Sequence, residues 1–428
     1  MDKTEFQELI QAGLGRAIIY ARENDVRTFR DVILDACLHC CSVDVQSEGT
    51  RAGYMLELVD LMPDRQFYCD AVLEALPGSG DNWDAVQRFH FATYMALDGD
   101  EPARRLLYES FDPGSKMGED IAIDFVRLDG LKGLLFAAEK IGALLSSKPD
   151  EVDEGWLWSQ ATEICGEQET MAALIQAGKA NPDIETYRLT AERNDSKRNS
   201  GQGTGWDVKG LGYDALKARL QGLTQTSGII GIRLGRWGEE ADLENLERAA
   251  VGLIAAQTAE DQLAHLRVFQ HRSFPMDQQV IVELAVSRDE LLANAACGAL
   301  AQITHPSVRE LAFQLIQGHR TGRDKAISML ARNWEPGDHA IALGWFEQER
   351  DRDVRHWTGM GLRKFWESHP EPATEPRMLC SLYEKGPCSC CREFVVDRLI
   401  ELKALSEPMR AECAHDANDE IRKLVAAA

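Results

Sequence analysis

Apolar residues recur every three or four positions along most of this chain. Phe6, Leu9, Ile10 and Leu14 lie at helical spacing, and so do Phe29, Val32, Ile33, Ala36 and Cys37. The same period predicts helices over 54–62, 67–76, 83–97, 103–111 and 131–145. No stretch keeps the strict alternation of a strand. The intervening breaks are short and carry turn chemistry, as in Pro77-Gly78-Ser79-Gly80-Asp81 and Asp112-Pro113-Gly114. Asp81 is placed to cap the helix that follows it. The run Asp150-Glu151-Val152-Asp153-Glu154 reads as the acidic start of a helix holding Trp156, Leu157, Trp158 and Ile164. Helix pairs joined by short turns leave an apolar face that only the next pair can cover. The expectation is an all-α array.

One stretch breaks the pattern. Residues 194–212 combine Asp195-Ser196-Lys197-Arg198-Asn199-Ser200 with Gly201, Gly203, Gly205, Gly210 and Gly212, and offer few apolar anchors. This predicts a loop or hinge between an N-terminal helical segment, 1–193, and a C-terminal one, 213–428. Gly201-Gln202-Gly203-Thr204-Gly205 with Lys209 has the glycines of a phosphate cradle. It lacks the strand and the closing Gly-Lys-Ser/Thr that such cradles need, so a linker is the expected role. Its exposed chemistry is Lys197, Arg198, Trp206 and Lys209, the candidates for a loop contact.

Beyond the loop the helix pairs are clearer. They fall at 243–256 with 262–269, 279–286 with 291–303, 308–316 with 325–330, 340–346 with 354–365, 378–383 with 391–402, and 409–414 with 421–425. Ala293, Ala295, Ala296, Gly298 and Ala299 put small side chains where helices must come close. Three helices share an opening: Ser307-Val308-Arg309, Asp353-Val354-Arg355 and Glu420-Ile421-Arg422. Val308 and Val354 stand about 46 residues apart, within the period of large helical repeats. Over 277–427 the chain resembles HEAT/armadillo-type repeat proteins. That resemblance implies a right-handed α-α superhelix, a solenoid of antiparallel helix pairs, in which the arginine stitches neighbouring repeats.

Charge narrows the partners. The 428 residues carry a formal charge of −23, with 39 acidic against 23 basic side chains up to Ile232 and 31 against 24 beyond it. Nucleic acid is disfavoured, because it binds through Lys and Arg that replace its counterions. The first residues have no basic-then-apolar export signal, and no apolar run is long enough to span a bilayer. Eleven cysteines, an odd number, fit a reducing cytoplasm. No motif asks for a cofactor, and no hydrolase elbow, zinc-protease helix or kinase set occurs.

Two cysteine clusters come closest to a metal or redox motif. In Cys37-Leu38-His39-Cys40-Cys41 no Cys-x-x-Cys spacing is paired with a second half nearby, and core packing is expected. Cys388, Cys390 and Cys391 follow Pro387 at a helix start, where a thiol could be acidified, yet no base adjoins them in sequence. No metal is therefore expected, with these three as the alternative ligands or sensor thiols.

The other concentration is aromatic and basic: Trp334, Trp345, Trp357, Arg363 and Lys364. Such a mixture can grip a peptide or stack on bases. The run from Trp357 to Trp366, together with Trp83-Asp84-Ala85-Val86-Gln87, resembles helices of the HEAT-fold alkylpurine DNA glycosylases. That family's motif ends in a catalytic aspartate, and this chain has Gln87 in its place. The sequence therefore points to a protein- or peptide-binding scaffold without catalytic activity of its own. A nucleic-acid reader or glycosylase-like enzyme, and a thiol or zinc sensor, are the alternatives.

Overall fold

A computed structural model describes residues 1–77, 82–148, 155–199, 208–220, 228–318 and 321–428. Among them the chain is all-α, with 27 α-helices, two 3-10 turns and no strand. The chain divides into two compact units, Met1–Gln202 with Pro387–Ala428, and Gly203–Gly386.

In the first unit the C-terminal helices Ser389–Glu401, Glu407–Cys413 and Asp419–Ala427 pack beside the chain's N-terminal helices. The helix predicted at 391–402 and the pair predicted at 409–414 with 421–425 thus belong with the beginning of the chain, whereas 378–383, the expected partner of 391–402, belongs to the second unit. The cause is a set of buried polar bonds that composition does not reveal. Arg392 is fully enclosed; it donates to Asp416 at 2.7 and 3.1 Å and to the carbonyls of Ala12 and Gly13 at 2.8 and 3.3 Å. The buried Glu48 carboxylate pairs with Arg51 at 2.8 Å and accepts from the amide and hydroxyl of Ser389 at 2.7 and 2.9 Å. Each buried charge meets an opposite charge and further hydrogen bonds, the condition under which burial of an ion is tolerated.

Several local expectations meet the structure here. Asn82 caps the helix Trp83–Leu97, its carbonyl oxygen accepting from Ala85 N; Asp81 lies outside the described residues. The acidic run 150–154 does too, and the following helix is Gly155–Cys165. Of the expected loop, 194–199 continues the helix Pro182–Asn199, while 200–207 lies outside the described residues. Val208 and Tyr213 are buried in the second unit's core, and Trp237 donates to the Leu211 carbonyl at 2.7 Å.

The second unit packs its helices in sequence order. Leu243–Ala255 lies on Ala259–Val268, Gln279–Ala285 on Glu290–Leu300, Pro306–Gly318 on Ala326–Arg332, and Asp338–Gln348 on Arg352–Ser368. Alternate helices also touch: Ala259–Val268 meets Glu290–Leu300, and Ala326–Arg332 meets Arg352–Ser368. Of the three shared arginines, Arg309 reaches across to the next pair, holding Asp338 at 2.6 and 2.9 Å. Arg355 turns back on the Glu349 carbonyl just ahead of its own helix, and Arg422 bonds the Asp416 carbonyl while also reaching across to pair with Glu57 at 3.1 Å.

Candidate binding groove

Five elements of the second unit converge on a cavity of about 450 Å³. The helix Ala259–Val268 brings Arg267 to it, and Glu290–Leu300 brings Asn294 and Gly298. Lys325 and Ser328 come from the 3-10 turn Arg323–Lys325 and the helix Ala326–Arg332; Trp357 and Lys364 come from Arg352–Ser368. Each helix turns its apolar stripe into the core, leaving the opposite edge for these polar side chains. Small residues such as Gly298 and Gly361 keep the floor open.

The charge of this cavity runs against that of the chain. Arg267, Lys325 and Lys364 face it together, against one carboxylate, Asp324, which pairs with Lys325 at 2.8 Å. Lys325 Nζ also stands 5.1 Å from the centre of the Trp357 ring. That ring is 48% exposed, far more than an aromatic packed for stability alone. Arg267 is the most unusual member. Its Nε is buried without a hydrogen-bond partner, and burial pulls its pKa below the ordinary arginine value. A half-buried guanidinium with an unbonded Nε is costly, and an incoming anion would relieve it.

Of the predicted aromatic and basic residues, Trp357 and Lys364 therefore share one groove. Trp334 lines a separate cavity of about 530 Å³ with Arg309 and Phe313, and stacks on His369 at 5.1 Å. Trp345 packs edge-on against Phe313 at the margin of the core, and Arg363 pairs with Glu367 at 3.3 Å. In the loop set Lys209 is exposed; Trp206 and the side chains of Lys197 and Arg198 lie outside the described residues. Sequence reasoning missed Arg267 and Lys325. Nothing marks them locally, because only helix packing makes residues nearly 100 positions apart neighbours.

The other candidates lie outside this groove. Cys388 is buried and its sulfur accepts from Cys391 N at 3.5 Å, capping the helix Ser389–Glu401. The hydrogen bond with Cys388, reinforced by burial, pushes the Cys390 thiol pKa upward, opposite to the shift an activated thiol needs. Burial does the same to Cys37. Gln87, at the position of the glycosylase aspartate, is fully buried; it accepts from Arg51 N at 3.0 Å and donates to the Ala36 carbonyl at 3.1 Å. No family model, curated protein or solved structure matches the chain.

Proposed function

We propose that the second unit is a HEAT-like solenoid of antiparallel helix pairs whose groove holds a short acidic segment of a protein partner. Pairwise packing in sequence order, with alternate helices touching, supports the solenoid. The observation that carries the ligand class is Arg267, Lys325 and Lys364 around an exposed Trp357 in a chain of charge −23. Three cations match carboxylates, and the indole covers an apolar or aromatic side chain beside them.

Nucleic acid is the less favoured reading. A cavity of about 450 Å³ supplies few phosphate contacts, and the acidic remainder repels a long polyanion. No helix among the described residues is long and apolar enough to cross a membrane. None of the eleven cysteines, all of them among the described residues, forms a disulfide, which supports a reducing compartment such as the cytoplasm. The test is fluorescence anisotropy with three labelled probes: a glutamate-rich octapeptide containing one phenylalanine, its lysine counterpart, and a single-stranded oligonucleotide. Saturable binding of the acidic peptide alone is expected. Equal or tighter binding of the oligonucleotide would overturn the proposal.

A further inference from the structure

The first unit holds a hydroxyl, an imidazole and a carboxylate in line, beside a cavity the binding reading does not use. Thr50 Oγ1 lies 2.8 Å from His90 Nδ1. On the far side of the ring, His90 Nε2 faces Asp124 Oδ2 at 3.6 Å, an ion-pair distance just beyond hydrogen-bond length, and both atoms are enclosed. The other Asp124 oxygen accepts from Arg127 at 3.1 Å. Burial holds the His90 pKa below its ordinary value, so the ring is neutral at pH 7. A proton on Nε2, toward the carboxylate, leaves Nδ1 to accept from the Thr50 hydroxyl. That is the arrangement of an activated nucleophile.

Thr50 lines a cavity of about 450 Å³. Two residues further on, the helix Ala52–Asp60 begins, and the amides of Gly53 and Tyr54 in its first turn have no partner among the described residues. Both residues line the same cavity. Free amides at a helix start, next to a nucleophile, are suited to a developing oxyanion. A side chain at position 53 would press on the Tyr94 ring, at 3.2 Å, so glycine keeps this corner open. Four carboxylates, Glu57, Asp60, Asp98 and Asp419, line the cavity against two arginines, Arg51 and Arg422, beside the 44% exposed ring of Tyr94. Carboxylates with an aromatic face suit a cationic group.

We propose that Thr50, His90 and Asp124 form an acyl-transfer site that hydrolyses esters of cationic acids. Thr50 Oγ1 bonds to the carbonyl carbon while its proton passes to His90 Nδ1. The amides of Gly53 and Tyr54 hold the oxyanion. The bond to the alcohol breaks, and His90 returns the proton to the departing oxygen. Water then attacks the acyl-threonine with His90 again taking a proton; the acid leaves, and Thr50 regains its hydrogen. Asp124 is a positioning residue that fixes the ring and its tautomer. This activity is independent of the groove in the second unit.

The experiment uses the full chain and two p-nitrophenyl esters, one of a trimethylammonium-bearing acid and one of succinate, with release of p-nitrophenolate as the readout. The cationic ester is expected to react at least about ten-fold faster and to leave an acyl mass on the peptide containing Thr50. Thr50→Val keeps the shape without the hydroxyl and should lower the rate about 100-fold or more, whereas Thr50→Ser should stay within about ten-fold. Asp124→Asn should lower kcat with KM unchanged, a split that a merely structural role would not produce. Wild-type rates in a folded Thr50→Val protein, or no acyl adduct on Thr50, would overturn the proposal. Equal rates for the two esters would overturn the substrate class.

Discussion

Arg392 and Asp416 form a two-pronged ion pair, at 2.7 and 3.1 Å, with neither side chain exposed to solvent. The same guanidinium bonds to Ala12 and Gly13, about 380 residues away in sequence. It ties the chain's two ends into one unit. Arg392→Ala leaves Asp416 buried and unpaired, and should destabilise the first unit by about 3–5 kcal/mol. Urea denaturation, with proteolysis to localise the unfolding, checks this. An unchanged midpoint would mean that the ends are held by other contacts.

Gly142 carries a second prediction about the first unit. A methyl group there would lie 1.9 Å from the Asp183 carbonyl oxygen, where the helix Leu131–Ser147 meets Pro182–Asn199. In an open helix, glycine to alanine stabilises by about 1 kcal/mol. Here the sign reverses, and Gly142→Ala should lower the thermal midpoint of the first unit. A raised midpoint would contradict this close approach.

How much of this could be read from the sequence divides along physical lines. Helix periodicity is local, so the all-α class and most helix positions are legible in the sequence. The grouping of the last helices with the first was not. It depends on Arg392 meeting Asp416 and two N-terminal carbonyls, a match between distant partners that no window contains. The groove was half legible. Trp357 and Lys364 share one helix, about two turns apart and so near the same edge, whereas Arg267 comes from a helix far away in sequence and is placed only by helix packing. The relay of Thr50, His90 and Asp124 has no sequence spacing at all, because its members come from a loop and two helices.

His265 gives the second unit a pH dependence. Its Nδ1 donates to the Asp261 carbonyl at 2.6 Å, and its Nε2 accepts from the Tyr213 hydroxyl at 2.9 Å. Burial lowers its pKa below the ordinary 6.5. As pH falls through 6.5 the unfolded chain binds a proton that the folded one resists, so stability decreases as pH drops from neutral toward the folded value. Denaturation midpoints of the second unit at pH 7.5 and 5.5 check the direction. His265→Gln should reduce the difference between them, and an undiminished difference would assign the effect elsewhere.

Gln87 tests the glycosylase resemblance. Gln87→Asp restores the family's carboxylate but removes the donor to the Ala36 carbonyl and buries a charge. The expected outcome is loss of stability by about 3 kcal/mol or more and no release of alkylated purine from DNA. Base release by the variant would revive the resemblance as a functional one.

The most direct test of the central claim is a charge swap in the groove. Binding of the glutamate-rich octapeptide is measured by anisotropy for the wild type and for the double substitution Lys325→Glu with Lys364→Glu. Loss of at least about ten-fold in affinity for the acidic peptide, together with new binding of its lysine counterpart by the same variant, is the predicted result. Unchanged affinity for the acidic peptide after the swap would place its binding elsewhere and contradict the account.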